Sequence, residues 1–162
     1  MDTTRLQKRY VSARSNLIFI VALTLINIVI LATGGDSYFL FSASIPYIIT
    51  VTTMLLCGML PPEFYVGIDM GEFLDPSVFY VGLVISAIII VFYFLCWIFS
   101  GKNRGGWLVA ALMAFILDTV FMFFYYGLDI SMIVDFALHI YVVVSFILGI
   151  SANKKLKNAG EI

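Results

Sequence analysis

The sequence predicts an all-α polytopic membrane helix bundle, with four crossings and one re-entrant or interfacial segment. Three observations carry that reading. Hydrophobic residues fill 62% of the 162 positions and charged residues only 12%, well below the roughly 25% charged share of a soluble domain. The mean hydropathy of the chain is +1.07, and its apolar residues fall into long blocks. At about 1.5 Å per residue, a block of about 20 residues matches a hydrocarbon core of about 30 Å. Finally, the nine Lys and Arg and the ten Asp and Glu are strongly segregated along the chain.

Taken in order, residues 1–15 form a basic N-terminus with Arg5, Lys8, Arg9 and Arg14. The first apolar segment covers about 16–33. A basic start and an apolar core also describe a secretory signal, with Ala32-Thr33-Gly34 as a passable cleavage point. The length of the core and the apolar segments behind it favour an uncleaved first helix, broken at Gly34 and Gly35. Residues 38–60 are apolar too, but their first half mixes aromatics, serines and Pro46. Pro46 lacks a backbone donor and disfavours a helical Ile45, so a break is expected between Phe41 and Tyr47. A short helix over about 45–60 would hold Pro46 in its first turn.

Pro61 and Pro62 end that helix, ahead of an acidic loop with Glu63, Asp69, Glu72 and Asp75. The loop lacks the spacing of an EF-hand and reads as a solvated connection. Further helices are expected over about 78–99, 107–126 and 130–151. Lys102 and Arg104 lie in the first of the links between them, Gly127-Leu128-Asp129 in the second. The tail, 153–162, adds Lys154, Lys155 and Lys157. This makes one membrane domain, 16–152, between two basic ends.

Counting charges sets the topology. With both termini and the Lys102/Arg104 turn in the cytoplasm, all nine basic residues lie inside, as the positive-inside rule requires. Asp36, the acidic loop and Asp129 then lie outside. That solution needs an even number of crossings, so residues 38–60 enter and leave on one side. The expected location is a cell membrane, crossed several times, with the bilayer as first partner. A homo-oligomer or a membrane-protein partner is compatible with this. The near-neutral balance gives no reason to expect nucleic acid.

Three ionisable residues interrupt the last two apolar blocks: Asp118, Asp135 and His139. Each is costly in hydrocarbon and should face a partner or a wet cavity. Asp135 and His139 are four apart, on one helical face, and Ser131 extends that stripe. Asp118 lies roughly 12 Å below Tyr126 and His139 roughly 13 Å below Ile130, so the two can meet at matching depth. Asn27 falls in the same outer-half layer and completes a candidate polar site. Such a site could hold and release a proton, bind an ion or a transported substrate, or activate water as an intramembrane hydrolase acting on a lipid-linked substrate. Asp118, Asp135 and His139 could also ligate a divalent cation, although one histidine is less diagnostic than two. No other cofactor is evident. The plainer alternative is a non-catalytic subunit or scaffold, in which Asp118 and His139 only fix the helices. An apolar couple of similar volume would then replace them at little cost.

Cys57 and Cys96 lie in apolar segments without paired spacing and read as packing residues. Gly82 with Ser86, and Ala110 with Ala114, have the small-xxx-small spacing of close helix contacts. Trp97 and Trp107 fit interfacial anchors. The first segment carries no glutamate, unlike the small multidrug exporters of similar size. Taken together, Tyr38-Phe-Leu-Phe-Ser-Ala-Ser-Ile-Pro-Tyr47, Leu117-Asp118-Thr119, Ile133-Val-Asp-Phe-Ala-Leu-His139 and the lysine tail resemble small, uncharacterised integral membrane proteins of Gram-positive, Firmicutes-type bacteria. The resemblance implies a bacterial cytoplasmic membrane and transfers no catalytic residue.

Overall fold

The computed structural model describes residues 2–35, 37–101, 103–127 and 130–160. Expectations resting on Asp36, Lys102, Leu128, Asp129 and the side chain of Ser131 lie outside the described residues. Five α-helices carry the fold: α1 (Thr3–Ala32), α2 (Ser44–Leu56), α3 (Ser77–Ser100), α4 (Gly105–Tyr126) and α5 (Ile133–Asn158). Short 3₁₀ turns occupy Pro62–Tyr65 and Ile130–Met132, and no strand occurs among the described residues. Four of the helices, α1, α3, α4 and α5, are long and apolar enough to cross a membrane. They alternate in direction, and α1 packs on α5 and α3 while α4 packs on the same two. Buried Leu17, Ile20, Tyr93, Phe115 and Phe146 fill the space between them.

α1 and α5 are longer than the apolar blocks. α1 begins at Thr3, with the Asp2 carboxylate accepting the Arg5 backbone N–H at 3.1 Å. Its first turns are helical because Leu6, Tyr10 and Ala13 share one face, and Leu6 packs on Ala152 and Leu156 of α5. Thus both basic ends belong to one helical pair and are not loose tails. Close contact between the two helices requires a glycine. A Cβ on Gly149 would lie 2.5 Å from that of Ala13.

Residues 37–56 form a re-entrant hairpin. The chain leaves α1 at one end of the bundle and descends alongside it without regular structure. It reverses near Phe41, whose φ is +69°, and climbs back as α2. Depth follows from the partners. The Ala43 N–H donates to Thr24 Oγ1 at 2.8 Å, and Thr24 is eight residues, about 12 Å, below the end of α1. At the other end, the Leu74 N–H donates to the Leu56 carbonyl at 2.9 Å, which ties α2 to the acidic loop. The thirteen residues of α2 span about 20 Å, too short to cross the hydrocarbon. Against α3, Ser86 Oγ donates to the Pro46 carbonyl at 2.9 Å, and a Cβ on Gly82 would meet Thr53 Oγ1 at 2.5 Å. The small-residue spacing on α3 therefore seats α2.

In the acidic loop, Asp69 Oδ1 accepts the Gly71 N–H at 3.2 Å and Asp75 Oδ1 the Ser77 N–H at 2.8 Å. The second bond holds the Asp75 carboxyl below the usual carboxylate range. Cys96 is buried in the apolar core, while Cys57 lies at the end of α2. Cysteine substitutions at Ser37 and Glu63, which flank the hairpin, should react with a membrane-impermeant thiol reagent from the same side, and one at Ser42 should be protected. Labelling of Ser37→Cys and Glu63→Cys from opposite sides would show that this segment crosses.

Candidate functional site

The reversal at Phe41 creates a problem that the neighbouring side chains solve. A helix start leaves its first backbone N–H groups without partners, and at membrane depth no bulk water can supply them. In α2 each is accounted for. The Ala43 N–H goes to Thr24, whose own hydroxyl donates to the Ile20 carbonyl at 2.7 Å. The Ser44 N–H donates to Asp118 Oδ2 at 2.9 Å and the Ile45 N–H to Asp118 Oδ1 at 2.7 Å. Pro46 has no N–H to satisfy. Asp118, on α4, thus caps a helix 73 residues before it in sequence. Its negative charge also lies on the positive end of the α2 dipole.

Asn27 performs a similar service on the descending strand of the hairpin. Its amide accepts the Phe39 N–H at 2.8 Å and donates to the Phe39 carbonyl at 2.8 Å, pairing with that residue as another strand would. It also donates to Ser42 Oγ at 2.9 Å. Ser42 shares a hydrogen bond of 3.1 Å with the Tyr38 hydroxyl, which in turn donates to Asp135 Oδ2 at 3.4 Å. Asn27 is therefore linked to the acidic residues through the hairpin and touches neither directly.

His139 sits between the two carboxylates, all three side chains being at most 1% exposed. Its Nδ1 lies 2.9 Å from the backbone carbonyl of Asp135. A carbonyl only accepts, so Nδ1 carries a proton. Its Nε2 lies 3.3 Å from Asp118 Oδ2 and 3.4 Å from Ser44 Oγ. Nε2 and Asp118 Oδ2 can share a proton, or the Ser44 hydroxyl can donate to Nε2; either way both Asp118 oxygens already accept backbone N–H groups. Phe115 stacks on the ring with centroids 4.9 Å apart and planes 17° from parallel, an arrangement favourable to a cation.

Asp135 is the odd member. Its Oδ1 is buried, 3.7 Å from His139 Nδ1, and is the buried side-chain polar atom that lacks a hydrogen-bond partner among the described residues. The carboxylates flank opposite nitrogens of one ring, so a single ion would not touch all three side chains. Among the described residues no group of three His, Cys, Asp or Glu is placed to hold a metal ion.

All four residues singled out from the sequence, Asp118, Asp135, His139 and Asn27, are buried in one connected network. Sequence reasoning did not assign roles to Thr24, Tyr38, Ser42 and Ser44. A hydroxyl-rich run before a proline, inside an apolar block, was their one signal. The Asp118–His139 pair has a third partner in the α2 backbone, which an apolar couple would leave unpaired. Comparison with protein families, with curated proteins and with solved structures found no match.

Removing Asp118 should therefore cost more than losing an ion pair. Asp118→Ala leaves the Ser44 and Ile45 N–H groups unpaired, at about 1–3 kcal/mol each. The variant should melt earlier in detergent and expose the hairpin to protease, and Asp118→Asn, which keeps one acceptor, should fall between. Wild-type melting of Asp118→Ala would remove Asp118 from the capping role.

Proposed function

We infer that this is a small multi-pass protein of a bacterial cell membrane that handles protons, as a small transporter or proton-exchanging component, at the Asp118/His139/Asp135 cluster. The observation that carries the reading is the unpartnered Asp135 Oδ1 beside an imidazole. A buried acceptor without a partner is costly, and a proton delivered to that carboxyl both removes the charge and uses the spare acceptor capacity. Asp118 is committed to the α2 backbone, so Asp135 is the group whose charge can change without releasing that helix end. Half-buried Tyr38 lies between Asp135 and the hairpin's end of the bundle, and gives the proton a way in from that side. In this reading the termini are cytoplasmic and the hairpin opens to the exterior, by the distribution of Lys and Arg.

A second reading has its own observation. Both oxygens of Asp118 are consumed by the α2 backbone, which is what a scaffold or non-catalytic subunit with a purely structural cluster would need.

Purified protein in vesicles carrying an internal pH dye separates the two. Proton handling requires an imposed pH gradient to decay faster than in protein-free vesicles, and Asp135→Asn should abolish the difference while keeping its helical circular dichroism. Decay no faster than in empty vesicles would favour the scaffold. The orientation has its own check: external reagent should label Asp69→Cys and spare Lys155→Cys in intact cells, and the reverse pattern would invert the topology.

A further inference from the structure

Eight described basic residues, Arg5, Lys8, Arg9, Arg14, Arg104, Lys154, Lys155 and Lys157, gather at one end of the bundle, and Asp2 is the only described acid there. Arg14 is engaged, with Nε donating to Ser100 Oγ at 3.1 Å and the guanidinium 5.9 Å from the Trp97 ring. Lys8 and Arg9 are exposed and make no ion pair among the described residues. They stand where α1 and α5 close on each other.

Beside that contact runs a hollow of about 180 Å³, lined by Arg9 and Ser12 of α1 and by Tyr141, Val144, Ser145 and Leu148 of α5. Its chemistry changes along its length. The Arg9 carbonyl is level with Gly149, so the cationic, hydroxyl-bearing mouth lies at the basic end. From there the seam descends about 12 Å, eight residues of α5, to Tyr141. Exposed Leu148 and Val144 make its wall apolar. Ser12 also borders a second hollow with Thr4 and Lys8, which extends the polar mouth outward. The apolar run of α1 begins at Leu17, so Lys8, Arg9 and Ser12 precede it by about one to two and a half turns, which sets this mouth at the headgroup boundary.

We propose that the seam between α1 and α5 is a binding site for an anionic phospholipid of the leaflet at the basic end. Lys8, Arg9 and Ser12 take the phosphate, and one acyl chain lies along Leu148, Val144 and Tyr141. Below the cationic mouth the exposed wall is Leu148, Val144 and the Tyr141 ring, and the one hydroxyl midway, Ser145, is taken by Asn16 at 2.8 Å, so the groove follows the order of the lipid itself. Cations without an internal counter-ion select a net negative headgroup over a zwitterionic one. This site is separate from the buried cluster and does not depend on how that cluster functions.

Native mass spectrometry of the full chain in detergent, with phosphatidylglycerol or phosphatidylcholine added, tests it. The wild type should retain phosphatidylglycerol preferentially. Lys8→Gln and Arg9→Gln should each weaken that retention about fivefold, and Val144→Trp, which fills the seam, should weaken it with the mouth intact. Inorganic phosphate should compete poorly because it has no chain. All these positions are exposed, and unchanged melting will show that the variants fold. Equal retention of the two lipids would overturn the site, as would full retention in Lys8→Gln/Arg9→Gln. So would an equal loss in Lys154→Gln/Lys155→Gln/Lys157→Gln, which would mean diffuse charge, or ready displacement by inorganic phosphate.

Discussion

The two backbone hydrogen bonds from α2 to the Asp118 carboxylate are the interaction on which the rest of this structure depends. A hairpin that turns back about 12 Å inside the bundle must begin its returning helix where bulk water is excluded. Local capping is not open to it, since Ala43 precedes the helix and offers no acceptor side chain. The acceptors are therefore imported: one hydroxyl from α1 and both oxygens of one carboxylate from α4. Beside the committed carboxylate, His139 on α5 places its ring Nε2 3.3 Å from Asp118 Oδ2. The cluster thus ties α1, α2, α4 and α5 to one point, and α3 joins through Ser86 at the Pro46 carbonyl.

The two buried acidic residues differ in how firmly they are held. Asp118 is held by three partners, and a change in its charge would release a helix end. Asp135 is held less firmly: the Tyr38 hydroxyl contacts one oxygen at 3.4 Å, the Phe41 backbone lies near the carboxyl, and Oδ1 has no hydrogen-bond partner of good geometry among the described residues. Asp135 lies outside the cap that Asp118 and His139 complete, and it reaches the hairpin through the Tyr38 hydroxyl.

The two ends of the bundle are chemically opposite. The hairpin end carries the acidic loop, folded back on the C-terminus of α2. At the other end α1 and α5 extend by several turns beyond their apolar blocks, and this extension places Arg9 at the seam between them, with Lys8 beside it. Helical continuity does this work. A disordered basic tail would attract an anionic surface without choosing a site, whereas side chains fixed on a helix hold their charges in register with the groove below them.

The four membrane-length helices, the short fifth apolar one and the common depth of Asp118 and His139 were legible in the sequence alone. Block length, proline position and the placement of Lys and Arg are one-dimensional quantities that the bilayer reads directly. The spacing of Asp118 and His139 from a three-residue link was enough to bring them to one level. What only the tertiary structure decided is which partner each polar group takes. Nothing local to Asp118 announces that it caps a helix 73 residues earlier, and nothing local to Asn27 announces that it pairs with the Phe39 backbone. Those bonds exist because a folded re-entrant chain exposes N–H and C=O groups whose positions no periodicity encodes. The helical N-terminus was missed for a related reason: Leu6, Tyr10 and Ala13 look sparse among charges until α5 is there to cover them.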